Sequence, residues 1–366
     1  MNREQTIGVV GASARAAVHS LLRAGYKAWA VDLFGDRDLA LVALCAVCPL
    51  EEYPTALPRL AAQFPPGPVI YTGGLENHPQ VVAELAASRE LWGTPSDVLE
   101  RVRDPYQLFP ILTEAGFRVP AIVPRDEPCP TSGRWLRKSI RSGGGLGIRF
   151  ASPGEPASPN HIFQEFIEGV PMSAVYGGTT LLDVSEQLVG EPWLHAKLFT
   201  YCGSIGPVKT LTGALGSQIR ACQGIALPGL GNLDFILHNG QAVPVELNPR
   251  YSASIEVLEH AIGCSFVTLQ LDPARRSDCS VVGKGIYYAP HTLTLPVTGP
   301  WDADLVTPFD PWRFPAFADI PAVGSVISKG QPVLTLLVSG SSPAECRARL
   351  QSRAGELDLL LTELTP

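Results

Sequence analysis

Three polar side chains alternate along the strand-like stretch VPVELNPR, where Glu246, Asn248 and Arg250 occupy every second position. Alternate residues of a strand point to one face, so a carboxylate, an amide and a guanidinium would share that face. Carboxylate and amide oxygens are ligands that Mg²⁺ prefers, and the adjacent guanidinium could hold a phosphate or a transition-state anion. The intervening apolar residues are Val243, Val245 and Leu247. A solvated strand face opposite these residues is the alternative interpretation.

A second carboxylate is predicted to join this face from the preceding strand. The stretch LGNLDFILHNGQAVPVELN is typical of a hairpin that turns at His238-Asn239-Gly240. The hairpin register can bring Asp234 opposite Glu246 and Asn248. These three side chains are therefore the predicted ligands of Mg²⁺.

A glycine-rich loop lies between two strand-like runs in WLRKSIRSGGGLGIRF. Lys138 stands near the end of the first run. The backbone amides of such a loop can close over phosphates while the lysine supplies positive charge. The glycines of this predicted flap are Gly143, Gly144, Gly145 and Gly147. A flexible hairpin with a solvated lysine is the alternative.

About thirty residues beyond the lysine, the stretch FQEFIEGVPMS is typical of a strand that ends in an exposed linker. Its backbone groups could bind the edge of a purine while its apolar side chains cover the ring. The residues predicted to line this hinge are Gln164, Glu165, Phe166, Ile167 and Glu168. Flap lysine, purine-edge strand and acidic hairpin in this order are much harder to obtain by chance than any one of them.

The composition limits the class of protein that must position these groups. A chain of 366 residues with 45% hydrophobic residues predicts two or three packed domains. A net charge of -7 argues against a nucleic-acid footprint. No apolar run approaches the roughly 20 residues that cross a bilayer, and the N-terminus enters a strand at once, so we expect a cytoplasmic protein without membrane contact.

The sequence pattern predicts an α/β region at the N-terminus, followed by a mixed α+β region. TIGVVGASARAAVHSLLRAGYKAWAVDLF is typical of a βαβ unit and a parallel sheet. We expect an α/β domain over residues 1–99, an α+β domain over 100–277 whose flap-bearing part covers about 120–170, and a β-rich domain over 278–366. Cys45 and Cys48 form the one close cysteine pair, and no second pair completes a zinc site.

These elements together resemble the ATP-grasp superfamily of ligases over nearly the whole chain. The stretches GGLENHP, TYCGSIGP and ELNPRYSASIEVLE are similar to the group described as predicted ATP-dependent carboligases. The resemblance implies an ATP-grasp fold with a Rossmann-like N-terminal domain and a small β-rich C-terminal domain. The closing segment beginning FADIPAVGSVISKGQPVLTLL looks like the C-terminal domain of biotin carboxylase-like members.

The resemblance also implies a role for each motif, with ATP and Mg²⁺ as cofactors. Lys138 would contact the α- and β-phosphates, and Gly143–Gly147 would form the lid over them. Residues 164–167 would line the adenine hinge, and Arg250 would steady the transferring phosphoryl group. The metal ligands would be Asp234, Glu246 and Asn248.

Two departures from the family pattern accompany this resemblance. Pro105 stands where many members have a lysine in the helix that opens the ATP-grasp unit. Pro171 lies in VPMS, where many members have an acidic residue that binds ribose, and Glu168 is the nearest substitute. Both departures argue for weaker ATP binding, although the acidic hairpin is intact.

The implied reaction is an ATP-dependent ligation in which a small carboxylic acid is activated as an acyl-phosphate and attacked by an amine. Some members of the group are associated with methanopterin- or methanofuran-type cofactor pathways, and relatives commonly form dimers, so such a pathway and a homodimer are expectations. Residues expected to face the substrates are Glu76, Asn77, His78, Tyr201, Ser204, Arg250, Ser252 and Glu256.

Three other functions remain open from the sequence. A carboxylase-like enzyme would activate bicarbonate by the same chemistry. A nucleotide-binding regulatory protein without turnover would account for the two proline departures. A dinucleotide oxidoreductase depends only on the partial fingerprint of Gly8, Gly11 and Asp32.

Overall fold

A computed structural model describes residues 5–208, 212–221, 229–267 and 281–363. Its first sheet contains four parallel strands: β1 (Thr6–Val10), β2 (Lys27–Asp32), β3 (Leu44–Val47) and β4 (Val69–Tyr71). Their order is β3-β2-β1-β4. The buried apolar runs of β1, β2 and β4 suit a sheet with both faces covered. The predicted parallel sheet is confirmed.

Six helices accompany and follow this sheet: α1 (Arg15–Arg23), α2 (Arg37–Ala40), α3 (Leu57–Ala61), α4 (Pro79–Ser88), α5 (Ser96–Val102) and α6 (Pro105–Glu114). The start of α6 follows from two local residues. The Asp104 carboxylate accepts a hydrogen bond from the Tyr106 amide at 3.1 Å, and Pro105 at the first helical position lacks an amide that would need a partner. Pro105 therefore favours the start of this helix.

A small antiparallel sheet carries the glycine-rich loop. Its strands are β5 (Trp135–Ser139), β6 (Arg149–Phe150) and β7 (His161–Glu165), in the order β6-β5-β7. The loop joins β5 to β6, as the sequence predicts. Lys138 pairs with Ile162 on β7, which fixes the position of the lysine beside Gln164.

The remaining strands are β8 (Val170–Gly177), β9 (Thr180–Val189), β10 (Tyr201–Gly206), β11 (Leu230–His238), β12 (Gln241–Asn248), β13 (Val281–Tyr288), β14 (Leu293–Thr294), β15 (Phe317–Ala318), β16 (Val326–Ile327) and β17 (Pro332–Gly340). Eight of them form one antiparallel sheet in the order β12-β11-β8-β9-β10-β13-β17-β15. Strands from the central and the last part of the chain therefore share a sheet. β14 and β16 pair separately.

Three further helices complete the described chain: α7 (Thr212–Ala221), α8 (Ala253–Ile262) and α9 (Pro343–Glu363). Residues of α8 and α1 share an apolar core with the first sheet, and α6 packs on the underside of β8, β11 and β12. The hairpin β11–β12 therefore has one buried face and one open face. None of the described helices is both long and apolar enough to cross a membrane.

Candidate active site

The hairpin β11–β12 brings the predicted metal-binding residues together. Asp234 pairs directly with Glu246, and Asn232 pairs with Asn248. A bulge then shifts the register, so that Phe235 pairs with Pro244 and no residue opposes Val245. Val245 consequently lines the cleft beside Glu246. The expectation that Val245 lies on the opposite apolar face was wrong, because a bulge breaks strict alternation.

Asp234 is held by three side-chain amides. Asn232 Nδ2 and Gln187 Nε2 donate to Oδ1 at 2.6 and 2.8 Å, and Asn248 Nδ2 donates to Oδ2 at 2.8 Å. Burial, followed by repulsion from Glu246, raises the pKa of Asp234 to about 7. The sequence analysis missed Asn232 and Gln187. The two-residue spacing from Asn232 to Asp234 could have indicated the first, whereas no local signal marks the second.

The oxygen atoms of this face suit Mg²⁺. Asp234, Glu246 and Asn248 line one cavity, and the buried Oδ1 atom of Asn232 has no hydrogen-bond partner among the described residues. No group of three His, Cys, Asp or Glu side chains able to hold a metal occurs in the described chain. Two carboxylates with amide oxygens match an ion that keeps some positions for water and phosphate rather than one bound in a closed protein cage.

Arg250 is fixed by Glu76 from the first sheet's edge. Its Nε and Nη2 atoms donate to Glu76 Oε1 at 3.0 and 2.7 Å, and Nη2 also lies 3.3 Å from Asn248 Oδ1. Glu76 is buried in the turn after β4. Burial opposes its ionisation, but the charge of Arg250, its hydrogen bond to Glu76 and the nearby Arg103 together outweigh burial and lower the pKa of Glu76. Glu76 therefore positions Arg250 rather than facing the open cleft.

Arg103, at the C-terminal end of α5, is a site residue that the sequence analysis missed. Its Nη1 atom donates to Glu246 Oε1 at 2.6 Å, and Nη2 donates to Asn77 Oδ1 and to the Ser142 carbonyl, each at 2.9 Å. One guanidinium thus joins the acidic hairpin, the loop after β4 and the glycine-rich loop. In the sequence, the available indication that Arg103 belongs to the site was its position two residues before Pro105.

Lys138 and Gln164 also meet in the site, where Lys138 Nζ donates to Gln164 Oε1 at 3.2 Å. Burial lowers the pKa of Lys138, and nearby Glu246 partly offsets this effect. The glycine-rich loop lies against the start of β10, since the Tyr201 amide donates to the Gly144 carbonyl at 3.0 Å. Gly145 has a positive φ, and a Cβ there would lie 1.8 Å from the Phe199 carbonyl oxygen. Only glycine allows this close approach.

These elements enclose a cleft of about 430 Å³. Among the predicted site residues, those on its wall are Lys138, Gly144, Gly145, Gln164, Glu165, Phe166, Ile167, Tyr201, Asp234, Glu246, Asn248, Arg250 and Ser252. Gly143 lines a smaller adjoining cavity with Lys138. Gly147 and Glu168 lie outside both walls.

One end of the cleft is aromatic. Phe166 lies edge-on to Phe150 with ring centres 5.2 Å apart, and Phe150 packs at the same distance and in the same manner on Phe199. The Glu165 carboxylate points away and accepts the Ala121 amide at 3.0 Å. The Glu165 amide donates to the Ala121 carbonyl at 2.8 Å, and the Phe166 amide donates to the Arg134 carbonyl at 2.9 Å. This end therefore offers an apolar surface beside strand residues whose amides are already paired.

Hydroxyl groups line the other side, near Arg250. Tyr201 OH lies 2.8 Å from Ser204 Oγ, which lies 2.9 Å from Ser254 Oγ. Ser204 is fully buried behind Tyr201, so it supports the wall instead of forming it. The buried Ser252 hydroxyl has no hydrogen-bond partner among the described residues. A polar ligand could satisfy it.

The predicted substrate residues do not all share this cleft. Asn77 and Glu76 line a second cavity of about 800 Å³, reached past Arg103. Glu256 lies away from both cavities, fully buried, where Arg15 Nη1 donates to its Oε1 and Lys284 Nζ donates to its Oε2 at 2.7 Å. Its oxygens are engaged by protein cations, and no wall of the two cavities includes it.

Part of this chain matches the model of a known family. The model of the ATP-grasp domain family matches residues 102–254. This range runs from the end of α5 through the glycine-rich loop and the acidic hairpin to the start of α8. The search of curated proteins gave no match.

Solved structures share the fold across almost the entire described chain. The biotin carboxylase domain dimer of Hydrogenobacter thermophilus 2-oxoglutarate carboxylase, with MgADP, ADP and bicarbonate, aligns with a TM-score of 0.69 and 15% identity over 96% of this chain and 90% of its own. The ADP complex of N5-carboxyaminoimidazole ribonucleotide synthetase aligns with a TM-score of 0.68 and 15% identity over 96% of this chain and 97% of its own. The L-amino acid ligase from Bacillus licheniformis aligns with a TM-score of 0.65 and 16% identity over 97% of this chain and 98% of its own.

Proposed function

We propose that the protein is an ATP- and Mg²⁺-dependent ligase that joins a small carboxylic acid to an amine, because residues 102–254 match the model of the ATP-grasp domain family. One observation carries the proposal. A single cleft contains the flap lysine, the hinge strand, the acidic hairpin and Arg250, although these elements are spread over residues 138–250 of the sequence.

ATP would lie along the length of the cleft. Phe166 and Ile167 would cover the adenine ring, and the backbone of residues 164–167 would bind its edge. Lys138 would contact the phosphates beneath the glycine-rich loop. The apolar wall and the buried cation support this orientation, and two solved relatives contain ADP.

Mg²⁺ would be held by Asp234, Glu246 and Asn248, whose oxygens share the cleft wall. The bound ion would supply positive charge that neutralises the phosphates during phosphoryl transfer. The three amides around Asp234 orient its carboxylate, as hydrogen bonds to a metal-ligating carboxylate commonly do. Asn232 and Gln187 therefore support the ligand set from behind.

The reaction would proceed in two balanced steps. A carboxylate oxygen of the acid attacks the γ-phosphorus, the bond to the β,γ-bridging oxygen breaks, and ADP leaves. The amine nitrogen then attacks the acyl carbon, the bond to the phosphate oxygen breaks, and inorganic phosphate leaves as the nitrogen loses a proton. Arg250, held rigid by Glu76, would bind the developing negative charge. Ser252 and Tyr201 would orient the acid.

The amine would enter through the second cavity, at Glu76 and Asn77. Asp104 pairs with Arg125 on its wall at 2.7 Å, and Arg103 and Glu76 are engaged at the active site. The charged lining residues with no ion pair among the described residues are Arg141 and Glu100. One cation and one anion are complementary to an amine that also carries a carboxylate. This supports an amino acid as the acceptor.

The second candidate is activation of bicarbonate, which one solved relative contains in its structure. Bicarbonate is a small carboxylic acid in its chemistry, so Arg250 and the same acidic hairpin would serve it. We further propose a cytoplasmic homodimer that acts in cofactor biosynthesis, in keeping with the dimeric biotin carboxylase domain among the relatives. The domain boundaries proposed are 1–99, 100–277 and 278–366.

Hydroxylamine trapping tests the proposed function, because hydroxylamine replaces the natural amine whatever its identity. The protein, MgATP and hydroxylamine are incubated with a panel of carboxylic acids that includes bicarbonate, and ADP and hydroxamate are measured. At least one organic acid should give equal amounts of both, and Glu246→Gln should give neither. ADP release with bicarbonate alone would favour the carboxylase. Binding of MgADP without ADP release under any condition would favour a regulatory protein.

A further inference from the structure

The position of Arg103 suggests more than a structural role. Only 10% of its side chain is exposed, yet its guanidinium borders two cavities. It lines both the small cavity with Lys138 and the large cavity with Asn77. A buried arginine needs anionic or carbonyl partners, and here these come from three separate elements.

The contacts of Arg103 overlap with those proposed for the metal. Its Nη1 atom lies 2.6 Å from Glu246 Oε1 and 3.5 Å from Asn248 Oδ1. Mg²⁺ bound at these oxygens would repel the guanidinium, because two cations at such short range repel strongly in a poorly solvated site. The guanidinium would therefore bind a different anion more favourably when the metal–nucleotide complex is present.

The nearest available anion would be the nucleotide polyphosphate. The small cavity beside Arg103 also borders Lys138, Gly143 and Gly145, which are the flap residues assigned to the phosphates. Guanidinium groups bind phosphate oxygens well and often through two parallel hydrogen bonds. A short rotation of a flexible side chain is enough to exchange one anion for the other.

We propose that Arg103 is a nucleotide-phosphate-binding residue that leaves Glu246 for the polyphosphate when MgATP binds. The proposal rests on the proposed function. It assigns a third cation to the site, beside Lys138 and Arg250. It also gives the site a phosphate-binding side chain near Pro105, which is itself unable to supply a cation.

The same exchange would link nucleotide binding to the glycine-rich loop. Arg103 Nη2 donates to the Ser142 carbonyl, at the beginning of the loop, at 2.9 Å. The guanidinium that holds Glu246 therefore also holds the loop in the nucleotide-free protein. If Arg103 moved toward the phosphates, its guanidinium would connect the glycine-rich loop to the nucleotide instead of to the Glu246 carboxylate.

Calorimetric titration with MgADP tests the proposal directly. Arg103→Ala should bind MgADP about 10- to 100-fold more weakly than the unmodified protein, the range for loss of hydrogen bonds to a charged group. Arg103→Lys should recover most of the affinity. Arg101→Ala removes an exposed arginine of α5 that has no ion pair among the described residues, so it serves as the matched control and should bind normally.

Hydrogen exchange of residues 140–149 provides a second readout. Arg103→Ala should exchange faster than the unmodified protein without nucleotide, because the contact to Ser142 is lost. Unchanged or tighter MgADP binding by Arg103→Ala would overturn the proposal, since Arg103 would then only neutralise Glu246 or compete with the metal. Failure of the unmodified protein to bind MgADP would instead overturn the proposed function.

Discussion

Two charge-rich regions arise from the same stretch of sequence, residues 243–259, and they differ in what their charges contact. Glu246 and Asn248 face a cleft, beside Arg250 and Arg103. Glu256 and Glu259 lie on α8, where they are buried against cations from distant parts of the chain. The strand half of the stretch thus opens on a cavity, and the helix half is enclosed.

In the enclosed region, both carboxylate oxygens of Glu256 and of Glu259 have internal partners. Arg15 binds both Glu256 and Asp319, Lys284 binds Glu256, and Arg23 binds Glu259. The cleft has unsatisfied oxygens, at Asn232 and Ser252, and its cations border empty space. Charge and burial alone therefore do not identify a site. What distinguishes the cleft is its remaining capacity to bind a ligand.

The largest expected effect is on stability, in the enclosed region. Glu256→Gln should lower the free energy of unfolding by about 3 to 5 kcal/mol, because Arg15 and Lys284 would lose their shared carboxylate in a buried environment. Urea titration measures this loss. The folded variant should still bind MgADP. Loss of nucleotide binding with unchanged stability would assign Glu256 to the active site after all.

The next effect is on the reaction. Glu246→Gln should reduce ADP formation by at least about 100-fold, roughly 2.7 kcal/mol, since loss of groups that merely support a metal ligand already costs 10- to 100-fold. Stability should change far less than in Glu256→Gln because Glu246 lies at the cleft. Steady-state ADP release is the measurement. Activity near that of the unmodified protein would remove Glu246 from the metal site.

A pH effect of about 2 kcal/mol per histidine is expected from the enclosed region. Burial, reinforced by nearby arginines, lowers the pKa of His19 and His260 to about 3. Each histidine binds a proton below pH 6.5 only when unfolded, so stability is fully present above that pH and is lost as the pH falls toward 3. Between pH 7.5 and pH 5, each should cost about 2 kcal/mol.

Urea titrations of His260→Gln at the two pH values isolate one of these contributions. The variant should lose about 2 kcal/mol less than the unmodified protein on going from pH 7.5 to pH 5. Asp38, whose pKa burial raises to about 6, acts in the opposite direction but is present in both proteins. Equal losses in the two proteins would show that His260 becomes protonated in the fold.

The smallest effect belongs to an exposed pair far from both regions. Arg349 donates to Glu345 four residues earlier on α9 at 2.6 Å, and 55% of the Arg349 side chain and 35% of the Glu345 side chain are exposed. Arg349→Gln should change the free energy of unfolding by only about 0.3 to 0.5 kcal/mol, the usual contribution of such a pair. Thermal melts should show almost no shift. A large shift in melting temperature would mean that solvent exposure does not distinguish this weak ion pair from the strongly stabilising buried charges.

Local patterns in the sequence predicted the elements of the site well. The His238-Asn239-Gly240 turn and the alternation after it predicted the hairpin, and Asp234 does pair with Glu246. Turn type and strand periodicity depend on neighbouring residues, so they are visible in one dimension. The bulge at Val245 was not visible, because it depends on how two strands fit together.

Contacts between distant segments could not be predicted in the same way. Glu76 meets Arg250 across 174 residues and Arg103 meets Glu246 across 143. Helical spacing places Glu256 on one face of α8 but does not reveal whether that face meets a cleft or Arg15. Such contacts depend on how the first sheet docks on α8 and the hairpin, which no local pattern specifies.

Titration of MgADP into the unmodified protein, Glu246→Gln and Glu256→Gln, followed by calorimetry, tests the central claim most directly. The account predicts saturable binding to the unmodified protein, binding weakened at least about 10-fold in Glu246→Gln, and unchanged binding in folded Glu256→Gln. Binding that is absent from the unmodified protein, or is equally strong in Glu246→Gln, would contradict the assignment of the cleft as a magnesium–nucleotide site.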